Sequence, residues 1–202
     1  VLLNPPGSER YLREYFCPKV SKASFYYPPL DLVYTSGWFP NHYDIQVLDA
    51  IADELSVSVT LEKILKIRPE YVYILISSPS FSEDIIFIEK LKSLLPEVVL
   101  IGTGDVFRDL KADSFGLVPQ LDAINFNFST DDVVRYVNDP KGVLLPNMIY
   151  RYGNQLIAGE ELFPKKKNQI PPPKWHLFPI KKYRYPFAIK KYNVAMLSDL
   201  VC

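Results

Sequence analysis

The stretch that decides the fold is "YVYILISSPS", Tyr71 to Ser80. Tyr71 to Ile76 is continuously apolar and rich in β-branched and aromatic side chains, the pattern of a central parallel strand buried on both faces. It runs into four small or turn-forming residues, and an amphipathic helix, "EDIIFIEKLKSLL", follows Ser82. That helix has acids in its first turn and lysines towards its end, which suits the helix dipole. Downstream the pattern repeats. "EVVLIGTGD" predicts a buried strand entering a glycine turn, "VFRDLKAD" a short helix, "DAINFNF" a further strand, and "STDDVVRYVN" a helix opened by a Ser/Thr cap. Upstream, Thr60 is placed to cap the helix "LEKILKI", which ends before Pro69. "YDIQVLDA" alternates as a second strand, and Pro28 and Pro29 stand at a helix start, where a missing N–H costs least. Val1 to Leu3 predicts the first strand, stopped by Asn4, Pro5, Pro6 and Gly7.

Strands alternating with helices at this spacing mean βαβ units with right-handed crossovers. The expected class is α/β, a three-layer doubly wound, flavodoxin-like or Rossmann-like domain with a five-stranded parallel sheet over residues 1–142. The rhythm breaks after Gly142. Residues 143–190 predict a hairpin around Gly153-Asn154, then a proline-rich extended arm with "IPPPKW" at its centre. Residues 191–202 resume strand character and start something new.

Composition narrows the function. Of 202 residues, 48 % are apolar, so the chain can form a sizeable core. Its 23 basic and 23 acidic residues cancel, which argues against a nucleic-acid binder working by bulk charge; "PKKKNQ" reads as a solvated loop. No window approaches about 18 consecutive apolar residues, so no membrane span is expected. With two cysteines, Cys17 and Cys202, no disulfide framework arises, and a reducing, cytoplasmic setting is the expectation.

Open parallel sheets bind ligands off the carboxyl ends of their strands. Four turns fall there: Asn4-Pro5-Pro6-Gly7, Ser77-Ser78-Pro79-Ser80, Gly102-Thr103-Gly104-Asp105 and Asn125-Phe126-Asn127-Phe128. Their residues are small or polar and let a flat or phosphate-bearing ligand approach the main chain, although such turns also use Ser, Gly and Asn simply as caps. No G-x-G-x-x-G follows the first strand, and there is no P-loop. The acidic pair of a phospho-receiver is missing, with Asn4 and Ser77 in the corresponding places. His42 and His176 lie away from strand ends and read as surface or packing histidines, and Cys17 as an ordinary loop thiol. The residues predict a binding platform with no catalytic group of its own.

In order and spacing, "VLLNPP", "YPPLDLVY", "YDIQVLDA", "PEYVYILISSPS", "PEVVLIGTG" and "LDAINFN" resemble the N-terminal cobalamin (vitamin B12)-binding domain of radical S-adenosylmethionine (SAM) enzymes. The group includes the anaerobic magnesium-protoporphyrin monomethyl ester cyclase and many methyltransferases. "IPPPKWHLFPIKKYRYPFA" is similar to the connector that leads there into a C-x-x-x-C-x-x-C motif. The resemblance implies cobalamin at Asn4, Pro5, Pro6, Ser77, Ser78, Ser80, Gly102, Thr103 and Gly104, with Asn127 and Phe128 beside them. It implies Cys202 as the first ligand of a 4Fe-4S cluster, whose remaining ligands and S-adenosylmethionine site belong to the radical SAM domain beginning at residues 191–202. No Asp-x-His-x-x-Gly loop follows the first strand, so no histidine is expected on cobalt. The implied partners are cobalamin, the chain's own radical SAM domain and a small-molecule substrate. The whole enzyme would transfer a methyl group or oxidatively cyclise at an unactivated carbon, as an Fe-S oxidoreductase or methyltransferase, and this fragment would be inactive alone. A flavodoxin-like interaction or small-ligand scaffold without cobalamin is the alternative.

Overall fold

The computed structural model describes residues 1–15, 18–21, 25–139, 143–162 and 170–184. The predicted strand at Tyr71 is β5 (Tyr71–Leu75) and lies mid-sheet, between β1 (Leu2–Asn4) and β6 (Val99–Thr103). Beyond β1 comes β4 (Val47–Asp49); beyond β6 come β7 (Ala123–Asn125), β8 (Met148–Tyr152) and β9 (Gln155–Ala158). The first five of these pair in parallel, with Leu2 opposite both Val47 and Tyr73, and Tyr73 opposite Ile101. Taken in chain order, the parallel strands stand second, first, third, fourth, fifth, the flavodoxin-like order with its switch point between β1 and β5.

Among the described residues the sheet has seven strands, not five, because the β8–β9 hairpin adds to it antiparallel alongside β7. Its turn is Gly153-Asn154, with Gly153 at φ +57°, as a two-residue hairpin turn requires. The burial pattern explains the addition: Met148, Ile149 and Tyr150 are buried and Arg151 and Tyr152 exposed, so only the first half of β8 is core. A separate antiparallel ribbon pairs β2 (Tyr11–Leu12) with β3 (Lys19–Val20).

The helices sort by face. α2 (Val57–Ile67), α3 (Phe81–Leu94), α4 (Asp105–Leu110) and α5 (Ser114–Leu117) cover one side, packing Ile64, Phe87, Leu91 and Phe107 on Val72, Ile74 and Leu100. α1 (Leu30–Trp38) and α6 (Asp132–Asn138) cover the other, with Leu32, Val33 and Val133 on Tyr73, Leu75 and Ile101. Ile74 and Leu75 are fully buried on opposite faces, and each such side chain contributes about 1.5–3 kcal/mol.

Two expected caps differ. The α2 cap is Ser56, whose hydroxyl accepts from the Val59 amide, while Thr60 is one turn inside and buried. α6 has Asp131 at its cap position with no side-chain bond, and the Thr130 hydroxyl donates to Asp132 Oδ2 instead. The described part of the arm lies across α1. The Lys174 amide donates to Ser36 Oγ at 2.9 Å, and a Cβ on Gly37 would meet the Pro171 and Pro172 carbonyls at 2.8 and 2.9 Å. Tyr26 and Arg184 then form a β-bridge. Cys17, "PKKKNQ" beyond Phe163 and the strand character predicted at residues 191–202, with Cys202, lie outside the described residues.

Candidate functional site

The carboxyl ends of β1, β5, β6 and β7 come together at one edge, and the eleven residues expected to face cobalamin lie along it. Ser78 is exposed there, and Asn4, Pro5, Pro6, Ser77, Ser80, Gly102, Thr103, Gly104, Asn127 and Phe128 are buried. The edge divides into two halves with different polar chemistry.

At the β1–β5 half the occupant is Arg13, 2 % exposed, reaching in from the loop beyond β2. Its Nη2 pairs with Asp84 Oδ1 at 2.7 Å and donates to the Pro6 carbonyl at 3.4 Å. Nη1 donates to Asn4 Oδ1 at 3.1 Å and the Pro5 carbonyl at 2.9 Å, and Nε to Ser80 Oγ at 3.0 Å. Ser80 in turn donates to Asp84 Oδ2 at 2.6 Å and the Ser77 amide does so at 3.3 Å. Burial raises the Asp84 carboxyl above the usual carboxylate range, while Arg13, Ser80 and the Ser77 amide pull it back. Asn4 is used twice, since its Nδ2 donates to Asp49 Oδ1 at 2.8 Å. Asp49 is buried, which raises its carboxyl, and its Oδ2 accepts from the Tyr183 hydroxyl of the arm at 2.9 Å.

The glycine turn after β6 is explained by internal packing. A Cβ on Gly102 would strike the Phe107 ring at 2.7 Å, so this glycine seats α4 on the sheet. Gly104 has φ +127°, and a Cβ there would lie 1.9 Å from the Ile76 carbonyl, so only glycine fits. Asp105, just after it, accepts from the Ser78 amide and hydroxyl and ties the two turns together.

The β5–β7 half, under α1, is under-satisfied. Asp31 Oδ2, Thr35 Oγ1, Tyr73 OH, Asn125 Nδ2 and Ser129 Oγ are all buried and none makes a hydrogen bond of full geometry, although Thr35, Asn125 and Thr103 lie close enough to the Tyr73 hydroxyl to interact with it. These residues are 2 % exposed or less. A buried polar atom left unpaired costs about 1–3 kcal/mol, and Tyr73, Thr35 and Asn125 meet this cost only in part, through one another. Burial pushes the Asp31 carboxyl up to about 8, and the Glu14 and Asp105 carboxylates add to the shift. Burial also raises the Tyr73 phenol, while side-chain hydrogen bonding with Thr103, Thr35 and Asn125 works the other way. Asn127 and Phe128 border this half and are engaged: Asn127 Nδ2 donates to the Leu162 carbonyl at 3.4 Å, and Trp38 Nε1 to the Phe128 carbonyl at 3.1 Å.

The sequence reading missed Arg13 and Asp84 on one side, and Asp31, Thr35, Tyr73 and Ser129 on the other. Asp84 carried a signal, an acid in the first turn of α3, which was assigned to the dipole although it falls on the buried stripe with Phe87 and Ile88. Thr35 sits on the same helix face as Asp31, four residues on, so a polar stripe on a helix otherwise apolar was readable. His42 stacks on Tyr43 at 4.6 Å and is exposed. Among the described residues no three His, Cys, Asp or Glu side chains converge as a metal site, and no helix is long and apolar enough to cross a membrane. No protein-family model matches the sequence, and no curated protein matches it.

Proposed function

We propose that this chain is a cobalamin-binding accessory module of a radical SAM enzyme, binding at the α1 side of the sheet's carboxyl edge. The observation that carries the reading is the set of buried, incompletely bonded polar atoms on Asp31, Thr35, Tyr73, Asn125 and Ser129. It lies at the strand ends of a flavodoxin-like sheet, where such folds bind ligands. The donor set fits a cofactor with a long polar appendage: hydroxyls and an amide N–H supply hydrogen bonds to ring nitrogens, sugar oxygens or phosphate oxygens. Asp31, protonated up to about pH 8, adds a carboxyl donor in a dry setting. Thr103, Asn125 and Ser129 would hold such groups, and α1 would exclude water from them. The β1–β5 half fits less well, because Asn4, Pro5, Pro6 and Ser80 are already bonded to Arg13.

Cobalamin supplies methyl-transfer or radical chemistry when bound; the chain's own residues bind and desolvate. The 4Fe-4S cluster and S-adenosylmethionine of the proposed enzyme would belong to its catalytic domain, with Cys202 as a cluster ligand. The test is to mix the protein with hydroxocobalamin and desalt it. Retained corrin absorbance in the wild type, reduced at least about tenfold in Asn125→Leu, is the expected result; a colourless wild-type fraction overturns the reading. One observation favours a second reading, a flavodoxin-like scaffold without cobalamin: the completeness of the Arg13 contacts at the switch point.

A further inference from the structure

The residues around Arg13 form a receptor with a definite chemical preference. A guanidinium has five N–H donors and no acceptor. Here Nη1 meets Asn4 Oδ1 and the Pro5 carbonyl, Nη2 meets Asp84 Oδ1 and the Pro6 carbonyl, and Nε meets Ser80 Oγ. Every donor has an acceptor, and the acceptors come from three separate segments: the end of β1, the turn after β5, and α3. Tyr11 adds its ring face 5.2 Å from the guanidinium carbon.

The sequence makes this rim one-sided. Pro5 and Pro6 have no N–H, so two successive residues of the first βα turn offer carbonyl oxygens only. Doubly wound folds that bind phosphates at this place do so through backbone N–H groups. With Asp84 beneath it, the rim repels an anion and suits a planar cation.

We propose that the switch-point crevice is a guanidinium-binding site which the chain fills with its own Arg13, and which is thereby closed to phosphates and other external ligands. The inference is independent of the function proposed above, which rests on the α1 side. Its test is chemical rescue. Arg13→Ala is expected to lower the melting temperature by more than about 5 °C. Millimolar ethylguanidinium is expected to recover part of that loss, and inorganic phosphate none. The same compound is expected to leave the wild type and the Arg13→Ala/Asp84→Asn protein unchanged. An equal shift in all three proteins, or rescue by phosphate, overturns the proposal. Should Arg13→Ala not fold, the wild type decides: the Arg13 Nε–H, followed by NMR, is expected to exchange with water at least about a hundredfold more slowly than exposed arginines. Exchange at their rate overturns it. Hydroxocobalamin added to the same samples reads the other question separately, since loss of colour with intact rescue sinks only the function.

Discussion

The two halves of the carboxyl edge have opposite polar economies. Around Arg13 the carboxylate, carbonyls, amide oxygen and hydroxyl are all matched by donors from the same chain. Under α1, five buried polar atoms lack a hydrogen bond of full geometry, and Tyr73, Thr35 and Asn125 satisfy one another only in part. A matched set holds a surface loop to the sheet, and an unmatched set leaves hydrogen-bonding capacity for something else. Position on the fold thus does not by itself assign a ligand; the state of the polar atoms separates a filled site from an available one.

The comparison is broken most forcefully at Arg13. Removing one partner of a buried ion pair leaves the other charge uncompensated, so Arg13→Ala and Asp84→Ala are each expected to cost about 3–5 kcal/mol. The double variant should cost clearly less than their sum, which urea denaturation of all three proteins measures. Additive losses would mean that the two halves do not differ as described.

Asp31 gives the next largest effect, with a sign fixed by linkage. Its folded carboxyl keeps a proton up to about pH 8, against an ordinary value of 3.8. Between those values the folded state binds more protons, so stability is fully present below about pH 4 and falls as pH rises towards 8. Asp31→Asn is expected to flatten that part of the curve and to be more stable than wild type at pH 8, by several kcal/mol. Near pH 4 the two proteins should be alike. Parallel stability–pH curves would show that the α1 side is solvated and not a dry, unmatched cluster.

The smallest effect concerns the arm. A Cβ at Gly37 meets two arm carbonyls closer than 3 Å, while alanine favours the helix by up to about 1 kcal/mol. Gly37→Ala should therefore change global stability little, within about 1 kcal/mol. It should nonetheless speed proteolysis of the arm near Trp175. Unchanged cleavage would show that the arm does not rest on α1 through this glycine.

Much of this was readable in advance, and the limits were physical. β5 and β6 were legible because a strand buried on both faces has a signature of its own, and the hairpin because Gly153-Asn154 sits between alternating residues. Joining that hairpin to the sheet was not, since nothing local in "MIYRY" says which edge it will meet. The four turns were found at the right edge, but Gly102 and Gly104 read the same whether a glycine admits a ligand or a neighbouring carbonyl. Arg13 was invisible because its partners lie up to 71 residues away, and a lone arginine in a polar loop carries no pattern. Asp31 stands in the first turn of α1, and nothing local in the sequence says that it is buried.

The bond from Tyr183 to Asp49 spans 134 residues. Contacts of such separation form late, because the intervening chain must be ordered before they stabilise anything. During synthesis the sheet and α1 can assemble before the arm has emerged, which leaves Asp49 and the outer side of α1 open for a time. The arm is accordingly a closing step in folding, and in refolding the fluorescence of Trp175, in a Trp38→Phe background, should settle after the secondary structure has formed. Any molecule that ends up beneath the arm meets its easiest entry in that interval, before the last proline-rich turn is laid down.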